Sequence, residues 1–445
     1  MKALVVLLSV LSMTALSLEN VSAVSPDDTE KTSLPPDQTA APAPPPSQQG
    51  QARAELREAV RALTKQRDGA HPHSHSAEAY LEVALALIET DNLPGAIAQL
   101  REALRLQPDS IPARSGLGLA LYHMGDVDSA IEEYRVVLEL QPNLAQAHIN
   151  LAMALMAKHD WAAARTELQS ALRLQPDLVE GHYNLGVVQY TMGNLSGAIE
   201  AYRQALRLKP DFADAHYNLG LMLKLANQPA DAVQELLAAA RAGLPKAQYF
   251  LGAAYASGNG VERNLAVAIT WWFRAAEQGM SQARESLAQQ RQLALLKTKQ
   301  SPVEARAAVE AFKDFRAQIA KEFPDLNANV AEESVGVSLV RQGRSQEAVP
   351  VLIREAYALS EPAQAELETL YENGADGQLK PYDARILTYF KTTATEGLPR
   401  PRTVLALIYA KGLGVPQDLT KAGSLLKGNP NEDAQRLLKE ISAAP

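Results

Sequence analysis

Leu106-Gln107-Pro108-Asp109 returns as Leu140-Gln141-Pro142-Asn143, as Leu174-Gln175-Pro176-Asp177 and as Leu208-Lys209-Pro210-Asp211, each copy 34 residues after the last. Two further columns keep the same step. Alanine stands at Ala96, Ala130, Ala164, Ala198 and Ala232, and a small residue at Ala84, Gly118, Ala152, Gly186 and Gly220. A fixed period of this length marks an array of small units, each unable to bury its apolar face alone and stacked on its neighbours. Between the prolines, apolar residues recur at helical spacing, as Leu117 with Leu121 and Leu151 with Leu155. Each unit therefore reads as two antiparallel helices. Small side chains where they cross let the backbones approach closely, and the proline stops the second helix. Asp91, Gly125, His159, Gly193 and Asn227 fall in the turn between the two helices. All are types that tolerate the left-handed conformation a helix C-terminus often needs.

A 34-residue period with small residues at the eighth and twentieth positions and a proline near the end resembles the tetratricopeptide repeat. Five units follow, at 77–110, 111–144, 145–178, 179–212 and 213–246. Two departures are mild: Val137 replaces the small residue at the twenty-seventh position, and the fifth unit slips, with Pro245 one residue late. From Ala247 the pattern changes to Gln248-Tyr249-Phe250-Leu251-Gly252, then Gly258-Asn259-Gly260-Val261, then Trp271-Trp272-Phe273-Arg274-Ala275. This stretch, 247–281, is similar to a Sel1-like repeat, a helix pair with a longer glycine-bearing turn whose positive φ angles glycine supplies. A second instance runs through Leu405, Tyr409 and Gly412-Leu413-Gly414-Val415, and a degenerate copy lies around Ala365–Tyr371 and Tyr389-Phe390, so that 361–445 reads as two such repeats. Between them, 282–325 reads as connecting helices and 326–360 as a degenerate helix pair. The resemblance implies an all-α, right-handed superhelical solenoid of antiparallel helix pairs.

The N-terminus reads as a targeting segment. Lys2 precedes a mostly apolar, uncharged run from Ala3 to Leu18, and Val21-Ser22-Ala23 offers small residues for a signal peptidase. The run falls short of the roughly 18–20 residues that span a bilayer, so residues 1–23 are expected to be cleaved after Ala23, with an uncleaved anchor as the other reading. The mature chain would be periplasmic or secreted in a bacterium, with no membrane insertion. Its lack of any cysteine fits an oxidising compartment, leaving no thiol to mispair. Residues 24–51, rich in proline and ending in Pro42-Ala43-Pro44-Pro45-Pro46-Ser47, read as a stiff linker. Residues 52–76 read as an N-terminal helix and a histidine-containing loop.

Composition narrows the chemistry. The net charge is −8 with no basic stretch, which argues against a nucleic-acid partner. No phosphate loop, nucleophile elbow or paired-histidine zinc helix occurs, and no α/β region could serve as a catalytic domain. No cofactor is expected, and no enzymatic activity. His71-Pro72-His73-Ser74-His75 is the one metal-like run, and it reads equally as a polar loop capping the first repeat. No metal ligands are assigned. His148, His182 and His216 recur at the fourth position, where the family usually has a large aromatic, and are expected to be packing residues.

In the resembling family, the first helix of each unit lines a concave groove. Carried over by position, this gives Tyr122, Ile149, Asn150, Met153, Tyr183, Asn184, Val187, Tyr190, Tyr217, Asn218, Leu221 and Lys224 as candidate partner-binding residues. Asparagine recurs at the sixth position, and an amide presents a donor and an acceptor together, suited to an extended peptide backbone. The other reading has each asparagine satisfying backbone groups of the neighbouring helix. Where related proteins clamp a C-terminal carboxylate with Lys and Arg, this chain has Leu81, Leu85, Gly116, Gln146 and Asn150. The resemblance thus implies a scaffold or adaptor holding other proteins or peptide segments. A structural subunit of an envelope polysaccharide-export or secretion machine is the alternative.

Overall fold

A computed structural model describes residues 76–295, 302–321, 334–375 and 377–443. The signal segment, the proline-rich linker and the histidine run at 71–75 lie outside the described residues. Among those described, the regular elements are all helices, and an isolated bridge joins Ala375 to Leu379. The fold is an all-α solenoid of helix pairs, dividing into two compact lobes between Ala247 and Gln248.

The N-terminal lobe holds α1 (Ala77–Glu89) with α2 (Leu93–Leu106), α3 (Ile111–His123) with α4 (Val127–Leu140), and α5 (Ala145–Ala157) with α6 (Trp161–Leu174). Then come α7 (Val179–Thr191) with α8 (Leu195–Leu208), and α9 (Ala213–Leu225) with α10 (Pro229–Arg241). Each pair turns in three residues, and the middle one takes a positive φ: Asp91 61°, Gly125 86°, His159 61°, Gly193 78° and Asn227 57°. The third residue does two jobs. Its backbone N–H closes the first helix, as Asn92 N to Leu87 O at 2.8 Å and Asp160 N to Leu155 O at 2.9 Å. Its side chain then caps the second, accepting from Gly95 N (Asn92), Ser129 N (Asp126), Ala163 N (Asp160) and Gly197 N (Asn194). At the fifth turn Gln228 makes no such bond and Pro229 begins the helix instead.

The crossings are tight for a reason that can be read in pairs of side chains. Ala96, Ala130, Ala164 and Ala198 have no exposure at all. A Cβ on Gly118 would stand 2.6 Å from the Tyr134 ring, and one on Gly186 would stand 2.7 Å from Tyr202. The same two repeat positions hold Ala84 with Leu100 and Ala152 with Leu168. Where the second helix carries tyrosine, the first gives up its Cβ; in the fifth unit Gly220 does so against Leu236, which would stand 2.9 Å from a Cβ there.

The C-terminal lobe opens within α11 (Pro245–Ser257), which pairs with α12 (Leu265–Glu277). Trp272 sits over Gly252 and its indole N–H donates to Tyr249 O at 3.2 Å. Then follow α13 (Ser281–Leu295), α14 (Pro302–Lys321), α15 (Val335–Arg341), α16 (Ser345–Tyr357), α17 (Glu361–Asn373), α18 (Ala384–Thr395), α19 (Pro399–Lys411), α20 (Leu419–Leu426) and α21 (Glu432–Ala443). One backbone bond ties the long turns: Asn264 N to Tyr255 O and Asp418 N to Tyr409 O, both 2.9 Å. In the degenerate copy the turn is three residues longer, yet Tyr382 N still reaches Tyr371 O at 2.8 Å. The core joins α12, α14, α16, α17, α18 and α19 through Trp272, Phe315, Leu352, Tyr371, Phe390 and Leu405.

Candidate functional site

The first helices α1, α3, α5, α7 and α9 present a stripe at the second, sixth, ninth and thirteenth positions, an i, i+4, i+7, i+11 series on one helical face. In α7 this is Glu180, Asn184, Val187 and Thr191, and in α9 it is Asp214, Asn218, Leu221 and Leu225. Tyr122, Asn150, Val187, Tyr190, Tyr217, Asn218 and Leu221 keep part of their surface, and Lys224 is exposed. The other four candidates lie deeper. Ile149 and Met153 are buried with Ala171 and Leu178. Tyr183 is buried, its ring 4.9 Å from that of Phe212 and 5.7 Å from that of Tyr202, and burial pushes its hydroxyl pKa up. Asn184 retains 4% of its surface. Ile149 and Tyr183 stand at the fifth position, but Met153 and Asn184 stand at the ninth and sixth, so neighbouring elements cover part of the stripe itself on α5 and α7.

The three asparagines do not behave alike. Asn218 Nδ2 donates to the Tyr183 hydroxyl at 3.0 Å, joining neighbouring first helices through side chains rather than through a backbone group. Asn150 Oδ1 accepts from Gln146 Nε2 at 3.1 Å within its own helix. Asn184 has no hydrogen-bond partner among the described residues, and its amide is not sealed from solvent. The cause is one side chain. The residue that stands to Asn184 as Tyr183 stands to Asn218 is Ile149, which offers no hydroxyl. Buried amides without partners are rare in folded proteins, and this one faces the stripe.

The fourth position carries a second ladder that periodicity did not reveal. Arg114 donates to Glu133 Oε2 at 2.8 Å and to the Pro108 carbonyl at 3.0 Å. His148 bridges Glu167 Oε2 (2.6 Å) and the Pro142 carbonyl (3.0 Å), and His216 bridges Glu235 Oε2 (2.5 Å) and the Pro210 carbonyl (2.9 Å). His182 keeps the proline bond to Pro176 at 2.9 Å, but Ala201 stands where a glutamate would. These residues tie the inter-unit turn to the second helix, so they pack and also bond. The signal was a glutamate 19 residues after the fourth position in three units. Among the described residues no group of His, Asp and Glu is arranged to hold a metal ion.

Sequence-family comparison places a TPR repeat at 152–193 and 190–225, a tetratricopeptide repeat at 50–111 and 84–145, and a Sel1 repeat at 245–280 and 404–427. The chain is a tetratricopeptide repeat protein with Sel1 repeats in its C-terminal half. No curated protein matches its sequence. Among solved structures the chain is similar to MamA, with 27% identity, 37% of this chain and 97% of that one covered, and a TM-score of 0.34. It is also similar to YrrB, a TPR protein with an unusual peptide-binding site (22% identity, 41% of this chain and 93% of that one, TM-score 0.35). The chain is also similar over 86% of its length to c5321, a protective antigen of uropathogenic Escherichia coli with an SLR fold (20% identity, 90% of that chain covered, TM-score 0.41). In this tetratricopeptide array the candidate site is therefore the stripe of α7 and α9, with Asn184 at its centre.

Proposed function

We propose that the protein is an exported, non-enzymatic scaffold whose tetratricopeptide first helices hold an extended segment of a partner protein. One observation carries the reading. Val187 and Tyr190 on α7 and Leu221 on α9 keep part of their surface, and the Asn184 amide on α7 has no hydrogen-bond partner of its own among the described residues. Apolar contact from amphipathic aromatics beside a free donor and acceptor is the composition that binds peptide main chain. Repeat solenoids use such extended faces to hold partners.

A photo-crosslinking side chain at Val187 should capture the partner in cells, whereas the same group at exposed Arg203 on the second helix should not. Capture from Arg203 alone would move the binding surface to the other face. Export is tested on the same preparation: protein recovered from the periplasm should begin at Val24 by intact mass. Recovery only in membranes, with Lys2 retained, would overturn it.

A further inference from the structure

We infer that the segment held on this face is basic as well as extended, with lysine or arginine side chains about three residues apart. The inference rests on the scaffold reading above and adds the chemistry of the ligand. The observation is the charge of the stripe. Glu78, Glu82 and Glu89 on α1, Glu180 on α7 and Asp214 on α9 stand at its second, sixth and thirteenth positions, no lysine or arginine stands at any of its four positions, and α3 and α5 carry no acidic residue there. None of the five carboxylates forms an ion pair among the described residues. The basic groups that these helices do carry at the fourth position, Arg114, His148 and His216, are turned the other way and engaged with Glu133, Glu167 and Glu235. Asp214 is partly desolvated, which raises its carboxyl pKa, while Lys246 and Lys209 pull it back. A cation from a ligand would lower it further.

The register follows from the amide. Glu180 and Asp214 lie four residues before Asn184 and Asn218, just over one helical turn away, about 6 Å along the axis. A peptide main chain bonded to Asn184 therefore passes a carboxylate within reach of a lysine side chain. Neighbouring packed helices stand roughly 8–10 Å apart and an extended chain rises about 3.3 Å per residue. One unit thus corresponds to about three ligand residues, and the carboxylates of α7 and α9 select for a basic residue at that spacing. Charge complementarity of this kind sets which partner is accepted. The chain's own proline-rich stretch, 24–51, is excluded by the same rule, since Asp27, Asp28, Glu30 and Asp37 outnumber Lys31.

The test titrates the full mature chain, by fluorescence polarisation at low salt, with a labelled peptide of three Val-Lys-Pro triplets. Its counterpart has glutamate for lysine. The lysine peptide should bind about tenfold tighter. The preference should vanish in the Glu180→Gln/Asp214→Asn variant, with its melting unchanged, while Asn184→Ala should weaken the lysine peptide without abolishing the preference. The inference is overturned if the lysine peptide does not bind, if the two peptides bind equally or the acidic one better, or if the preference survives charge removal. The scaffold reading fails separately: if Val187 captures no partner it falls, whereas capture of an acidic segment, identified by mass spectrometry, sinks only the charge assignment.

Discussion

Glu396→Ala is expected to destabilise the C-terminal lobe by about 3–5 kcal/mol. Arg291 on α13 is 1% exposed, and its Nη2 donates to Glu396 Oε2. Its guanidinium also lies 5.2 Å from the Tyr357 ring centre, a smaller compensation. Glu396 is the C-cap of α18, where a negative charge meets the unfavourable end of the helix dipole. Its place there makes sense through the arginine. Removing the carboxylate strands a desolvated cation, whereas removing both charges removes the penalty. The Arg291→Met/Glu396→Leu variant should therefore recover most of the loss, because a buried pair is often no better than apolar side chains of similar volume. In a Trp161→Phe background, urea unfolding followed by tryptophan fluorescence reads the lobe through Trp271 and Trp272. A double variant as unstable as Glu396→Ala would refute the charge argument.

Glu355→Ala should cost the same lobe roughly 3 kcal/mol. Glu355 is 2% exposed. It accepts from the Ser334 hydroxyl, from Val335 N at 2.8 Å and from Gly336 N at 3.0 Å, and so serves the free N–H groups at the start of α15. Alanine leaves these buried donors unmet. Burial raises the carboxyl's pKa, while the hydrogen bonds and Arg316 oppose the rise. The folded lobe therefore holds this proton at pH values where the unfolded chain has released it. Its stabilising contribution is full below the ordinary carboxylate value, about 4.3, and is lost as pH rises through the raised pKa. Glu355→Gln, which cannot ionise, should lack this decline. Urea midpoints of parent and Glu355→Gln, compared across that range, should diverge; parallel curves would contradict the assignment.

Much of the N-terminal lobe could be read from its sequence, because a 34-residue step writes each structural demand five times. The alanine crossings and the left-handed turn residues were legible in that way. The caps at Asn92, Asp126, Asp160 and Asn194 were present in the same columns but need the turn geometry to be recognised as serving two helices. Glu355 and Arg291 were not legible: their partners lie 19–21 and 105 residues away, and no fixed period writes either pairing a second time. At the candidate site, the groove positions carried over from the resembling family located the face. They could not tell which positions packing closes, as it closes Ile149, Tyr183 and most of Asn184. That depends on pairs one period and one residue apart, of which Asn218 with Tyr183 forms a bond and Asn184 with Ile149 does not.

The difference between those two asparagines tests the central claim, that the open amide of α7 exists for a partner. The captured partner, titrated by calorimetry against Asn184→Ala and Asn218→Ala while both variants are melted, separates ligand binding from folding. Asn184→Ala should weaken the complex by about 1–2 kcal/mol and leave the melting temperature in place, since it breaks no bond in the free protein. Asn218→Ala should lower the melting temperature, because it deprives the buried Tyr183 hydroxyl of its donor. Unaltered affinity in Asn184→Ala, on protein that melts as the parent does, would contradict the account.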